Sequence, residues 1–143
     1  MNIRELEKRL EEEACSRAHY SIGVRDSDVF CLENQNGTWR MFYTERGLDQ
    51  DPLFESQSEE EACEFFFTYM TTRIRHDHLA GYFKSKEKAE ALAEKLKEHG
   101  IESYRNDIPY GGWEDPRFRV FVIGKDVFKA RDIFGELPIR DES

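Results

Sequence analysis

The pair Asn36-Gly37, set between two extended apolar runs, limits what this chain can fold into more than any other feature. Val29-Phe30-Cys31-Leu32-Glu33 comes before the polar cluster Asn34-Gln35-Asn36-Gly37, and Thr38-Trp39-Arg40-Met41-Phe42-Tyr43 follows it. Asn and Gly accept the positive φ angles that a tight hairpin turn demands. The segment therefore reads as an antiparallel hairpin, and the fold must supply something to cover a sheet face.

Helical patterns supply that cover. Ile3, Leu6, Leu10 and Ala14 make a narrow apolar stripe over a helix from Asn2 to about Arg17. After a short extended run, Tyr20-Ser21-Ile22, comes the hairpin, and Gly47 to Pro52 reads as a polar loop. Ser58-Glu59-Glu60-Glu61 has the form of a capping box, with acids placed where they oppose the helix dipole. The helix it opens puts Cys63, Phe66, Phe67, Met70 and Ile74 on one face, with Phe65 and Tyr69 broadening it, and ends near Arg75.

The pattern then restarts. Leu79–Phe83 reads as a strand, Ser85 as an N-cap, and Lys86–Glu98 as a helix presenting Ala89, Leu92, Ala93 and Leu96, with Gly100 at its C-terminal cap. Ile101–Arg105 is extended, a loop bounded by Pro109 and Pro116 follows, and Arg117–Ile123 alternates and then becomes continuously apolar, which suits a central strand. Gly124 ends it before a last helix, Lys125–Phe134. The expectation is one α+β domain with two lobes, 1–76 as α-β-β-β-α and 77–143 as β-α-β-β-α, with mainly antiparallel sheet packed by about four helices. The weak echo between Phe54…Ser58-Glu59…Ala62 and Phe83…Ser85…Ala89 reads as two ordinary strand-to-helix junctions. A length of 143 residues with eleven Phe, six Tyr and two Trp suffices for a core.

Charge is distributed unevenly. The chain's net charge is −9, and Glu45 to Glu64 alone carries eight acids against the single base Arg46. Such a field attracts basic surfaces and repels phosphate backbones, which argues against nucleic acid as a partner. No run is long and apolar enough for a membrane span, and the charged N-terminus lacks the apolar stretch of a signal peptide. Cys15, Cys31 and Cys63 are odd in number and show no CxxC spacing, which fits reduced thiols and a cytoplasmic location.

Catalytic and cofactor motifs are missing: there is no phosphate-binding loop, GxGxxG, GxSxG or HExxH. The sequence points to no enzyme, no cofactor and no metal. His76-Asp77-His78 reads as a polar turn, because a metal needs more convergent ligands. Cys31 sits among apolar neighbours and reads as an inert thiol, and Glu60 and Glu61 as a solvated first turn. The loop holding Tyr110 and Trp113, flanked by Asp107 and Asp115, suits binding better than chemistry, with Trp113 either an exposed anchor or folded onto the core.

One stretch has a more specific form. Tyr20-Ser21-Ile22-Gly23 leads to Asn36-Gly37-Thr38-Trp39, then Tyr43-Thr44-Glu45-Arg46-Gly47, Phe54 and Ser58-Glu59-Glu60-Glu61-Ala62-Cys63. It resembles small immunity proteins of bacterial polymorphic-toxin and contact-dependent growth inhibition systems over roughly residues 20–70. The spacing from Phe54 to the Glu-Ala-Cys element is longer than in that pattern, and residues 79–143 lie outside it. The resemblance implies a non-catalytic cytoplasmic protein that binds and blocks one cognate toxin, and the acidic stretch suits a basic cleft such as that of a nuclease domain. Glu45, Arg46, Asp49, Asp51, Glu55, Glu59, Tyr110 and Trp113 are the candidate contact residues. Two other classes compete. A small-molecule regulatory module requires a formed apolar pocket with convergent polar groups, and an enzyme using the Asp107–Asp115 loop requires titratable groups meeting in a cleft.

Overall fold

A computed structural model describes residues 1–141, and within them two sheets and four helices make a mixed α+β fold. The chain forms two compact units, Met1–His76 and Asp77–Ser143.

In the first unit, β2 (Phe30–Gln35) and β3 (Thr38–Glu45) run antiparallel with Gln35 opposite Thr38. Asn36 and Gly37 have φ of 55° and 91°, as a tight hairpin turn requires. β1 (Tyr20–Ile22) adds parallel to β2. The expected polar loop over 47–52 is instead partly sheet. Arg46 and Gly47, with φ of 52° and 80°, make a second tight turn, and β4 (Leu48–Asp49) folds back on Thr44 and Glu45. β5 (Phe54–Ser56) then lies opposite Trp39–Met41, also antiparallel to β3. Strands this short carry no periodicity, and Arg-Gly is a weaker turn signal than Asn-Gly, so the sequence hides both.

Two helices cover the sheet face that bears Leu32 and Met41. α1 (Ile3–Glu12) opens with a reciprocal cap between Asn2 and Glu5 and stops short of the expected Arg17. Ala14 takes a left-handed φ of 59°, and the N–H groups of Ala14 and Cys15 donate to the carbonyls of Glu11 and Leu10 at 3.0 and 2.9 Å. This is a Schellman ending with alanine where glycine is usual, so no stop signal shows in the sequence. α2 (Glu59–Thr72) starts at Ser58, whose hydroxyl accepts from the Glu61 N–H at 3.2 Å. The return half of its cap runs through Ser56. That hydroxyl donates to Glu61 Oε2 at 2.6 Å and accepts from the Ser58 N–H at 3.0 Å.

Leu6 and Leu10 meet Ala62, Cys63, Phe66 and Met70 in a core that also takes in Tyr20, Leu32 and Met41. Phe67 is only half-buried, beneath the Arg9 guanidinium 4.2 Å from its ring centre. Val29, Cys31 and Phe42 form a smaller buried cluster of their own.

The second unit is a four-stranded sheet in the order β7-β8-β6-β9. β6 spans Asp77–Phe83, β7 Ser103–Ile108, β8 Arg117–Ile123 and β9 Ile139–Arg140. β8, apolar from Val120 to Ile123, is internal, antiparallel to β7 and β6, while the unexpected β9 pairs parallel with β6. α3 (Lys86–Glu98) and α4 (Asp126–Phe134) bury Ala89, Leu92, Leu96, Val127 and Ala130. Gly81 permits the close approach of α3, because a Cβ there would lie 2.6 Å from Leu92 Cδ2. Asp141 closes the unit by accepting from the N–H groups of Lys84 and Ser85 at 2.9 Å.

Candidate functional site

The acids of the Glu45–Glu64 stretch separate into two groups on the first unit. The first surrounds the Arg46-Gly47 turn. Glu45 and Leu48 face each other at the hairpin's end, Leu48 being 71% exposed, and the Arg46 N–H donates to Asp28 Oδ1 at 3.0 Å. Asp49 pairs with Arg25 at 2.7 Å, and Arg25 also reaches Glu33 at 3.1 Å, so part of the Asp49 charge is compensated. Asp51 stands exposed just past the hairpin. Glu55 on β5 pairs across to Arg40 on β3 at 3.6 Å.

The second group belongs to α2. Glu59 is occupied structurally, since its Oε2 accepts from the Ile3 N–H at 3.0 Å and ties the starts of α1 and α2 together. Glu60, Glu61 and Glu64 line a groove of about 500 Å³ floored by Phe54, Phe65 and Thr68. A neighbouring hollow continues along the helix past Leu53, Tyr69 and Thr72 to Arg73. The rings of the floor, Phe54, Phe65 and Tyr69, belong to a longer ladder. Phe54 and Phe65 stack with centroids 4.4 Å apart, Phe65 and Tyr69 at 6.1 Å, Tyr69 and Phe30 at 5.4 Å, and Phe30 and Tyr43 at 4.8 Å. Each of these rings is half-buried, so the ladder combines apolar area with accessible edges under an acidic rim. Sequence reasoning assigned Phe65 and Tyr69 to the core face and left Leu53, Glu60 and Glu64 out of the site. The legible signal was their spacing, an aromatic i, i+4 pair offset from the Cys63–Phe66–Met70 stripe and following an acidic turn.

Tyr110 and Trp113 lie in the second unit, on the loop between β7 and β8, and are 65% and 68% exposed. Trp113 is thus exposed and not a core residue. The loop is held from beneath by Arg117. Its guanidinium is buried, donates to the Asp115 carboxylate at 2.8 Å and to the Asp115 and Pro116 carbonyls, and lies 4.2 Å from the Tyr110 ring centre. Hydrogen bonding to Asp115 raises the Arg117 pKa further above its ordinary value and fixes its charge.

The residues weighed for chemistry have structural partners. His76 is buried, with Nδ1 accepting from the Ser16 N–H at 2.9 Å and the Nε2–H donating to the Met70 carbonyl at 2.8 Å, while Asp77 accepts from the Tyr104 hydroxyl at 2.5 Å. Among the described residues no group of three His, Cys, Asp or Glu side chains is placed to hold a metal. Burial, with the Glu13 charge adding to it, pushes the Cys15 thiol up to about 11; burial and then the Glu59 charge do the same for Cys63. Both are poor nucleophiles at neutral pH. In the second unit, an apolar-floored hollow between Phe83, Leu92, Phe134 and Ile139 is about 250 Å³, below the size usual for a ligand pocket. A larger one of about 510 Å³ beside β7 is lined mainly by charged side chains, among them Glu90, Glu94, Lys97 and Arg105.

Compared with protein-family models, curated proteins and solved structures, the chain matches none.

No helix among the described residues is long and apolar enough to cross a membrane. What the arrangement offers is a surface: an aromatic floor, an acidic rim, and beside it an acidic hairpin tip.

Proposed function

We propose that the chain is a non-catalytic immunity protein, acting in the cytoplasm by occluding the basic cleft of a cognate toxin domain such as a nuclease. The single observation that carries this reading is the groove of Phe54, Phe65 and Thr68 under Glu60, Glu61 and Glu64. Acids alone steer a basic partner but hold it weakly, since exposed ion pairs contribute about 0–1 kcal/mol. Aromatic rings alone bind without choosing a charge. Together, a desolvated aromatic centre inside a charged rim is the anatomy of a tight, fast protein–protein contact. The small-molecule reading finds less support, because the apolar hollow at Phe83 and Leu92 is undersized and the larger one beside β7 is lined mainly by charged side chains.

The test is co-expression with the toxic C-terminal fragment encoded beside this gene, scored by growth and by co-purification. Rescue with a stable one-to-one complex supports the reading. A second arm uses the double substitution Glu60→Lys/Glu64→Lys, which leaves the Glu61 cap intact. It is expected to abolish rescue and slow association while stability falls only by the about 0.3–1 kcal/mol that reversing a first-turn charge costs. A toxin that kills regardless, or a complex indifferent to the substitutions, would remove the groove from the account.

A further inference from the structure

The second unit carries an edge that reads the same in both directions. β7 is the terminal strand of its sheet, bonded to β8 on one side and to no strand on the other among the described residues. Its central residues are Tyr104-Arg105-Asn106-Asp107-Ile108. Laid antiparallel against a second copy with Asn106 facing Asn106, Arg105 falls opposite Asp107, Tyr104 opposite Ile108, and the reverse pairs follow by symmetry.

We propose that this edge is a two-fold dimerisation surface, on which β7 of one chain pairs with β7 of another to join two four-stranded sheets into one. Three observations specify a second copy as the occupant. The first is charge complementarity. Arg105 already grips Asp107 in its own strand, at 3.2 Å from Nε and 3.0 Å from Nη2, and also reaches Glu90 at 3.4 Å. Residues directly opposite in an antiparallel pair share a face. Two such strands therefore interleave their charges, each Arg105 flanked by its own Asp107 and by that of the second copy. Charges on an edge normally deter pairing; here their mirrored placement makes them attract a copy of the same strand and repel most others.

The second observation is the local charge. Residues 77–143 hold fourteen acids against twelve bases, so the chain's strong negative charge lies elsewhere and this unit is nearly neutral toward itself. The third is the exposed aromatic loop. The chain turns as soon as it leaves β7, the Tyr110 N–H donating to the Ile108 carbonyl at 3.0 Å, and leaves Tyr110 and Trp113 exposed at that end of the strand. Two-fold pairing brings these loops to the two ends of the shared ladder, and the Arg117 clamp holds Tyr110 in place beforehand. Unclaimed strand edge, self-complementary charge and ordered exposed aromatics meet at one place. This proposal does not rest on toxin binding by the first unit.

The experiment is sedimentation of the full chain across a wide concentration range, alone and as charge-swapped variants. The wild type is expected to approach twice its 17.0 kDa mass as concentration rises. R105D gives a strand with two acids and D107R a strand with two bases. Each alone is expected to stay monomeric, with circular dichroism confirming that it remains folded. Mixed in equal amounts, they restore every opposite-charge pair and are expected to form a heterodimer. A wild type that stays monomeric throughout overturns the proposal, with no variant needed. So does a wild-type dimer that neither substitution weakens, or a mixture of folded variants that fails to associate.

Discussion

Phe54 and Phe65 lie face to face, ring centroids 4.4 Å apart and planes 8° from parallel. One ring comes from the three-residue β5 and the other from the first half of α2, so the stack holds a short strand against a helix. It is also the floor of the acidic groove. A stacked pair contributes about 0.5–1.5 kcal/mol beyond its buried area. A double-mutant cycle of Phe54→Ala and Phe65→Ala, read by urea denaturation, is expected to show coupling of that size. Strictly additive losses would mean that β5 is held by its ladder bonds to β3 alone.

Phe66 and Phe67 are neighbours in sequence with opposite roles. Phe66 is fully buried against Tyr20 and the α1 leucines, while Phe67 is half-buried beneath Arg9. Phe66→Ala is expected to cost about 3–5 kcal/mol, the usual range for truncating a buried ring. Phe67→Ala loses partial burial and a cation–π contact and is expected to cost about 1–2 kcal/mol. Equal losses at both sites would mean that α2 is rotated from its described position.

That pair shows how far the sequence reaches. Periodicity identified the buried stripe of α2, because Cys63, Phe66 and Met70 repeat at helical spacing. It could not separate Phe67 from Phe66, since both fit a broad apolar face and only the position of α1 decides. The Asn36-Gly37 hairpin, the Ser58 and Ser85 caps and the internal β8 were readable because each rests on local chemistry. β4, β5 and β9 were not, because two or three residues hold no pattern and their pairing is a long-range choice. For the candidate site, charge located the acidic stretch, but net charge cannot tell that Glu59 is bonded to Ile3 while Glu60 and Glu64 line a groove.

Ala14 and Gly100 occupy the same place in the same helix ending. Each follows a C-cap residue with φ of 59° and 74°, and in each case the next N–H reaches back to a leucine carbonyl at 2.9 Å, Cys15 to Leu10 and Ile101 to Leu96. A non-glycine residue in the left-handed region costs about 1–2 kcal/mol. Gly100→Ala is expected to lose about that much, since open space around its Cβ position means no contact offsets the strain. Ala14→Gly removes the strain but gives up one buried methyl, about 0.8 kcal/mol, so a net gain of a few tenths to about 1 kcal/mol is expected. Thermal melts of the two variants check the asymmetry; a stabilising Gly100→Ala would contradict it.

Cys15 and Cys63 make stability fall in alkali. Burial holds both thiols protonated to about 11 in the folded chain. In the unfolded chain they ionise near their ordinary value of about 8.5. Between those values the unfolded state has released protons that the folded state retains, so rising pH favours unfolding. The stabilisation is complete below about pH 8.5 and is lost progressively toward about pH 11, together on the order of a few kcal/mol. Tyr20, also raised by burial, adds to the trend only above about pH 10. Urea titrations of the wild type and of Cys15→Ala/Cys63→Ala at neutral pH and near pH 10 separate the contributions. The wild type is expected to weaken more steeply than the double variant, whose lower starting stability reflects lost packing. Parallel slopes would mean that the thiols ionise alike in both states and that neither is as enclosed as its position between α1 and α2 requires.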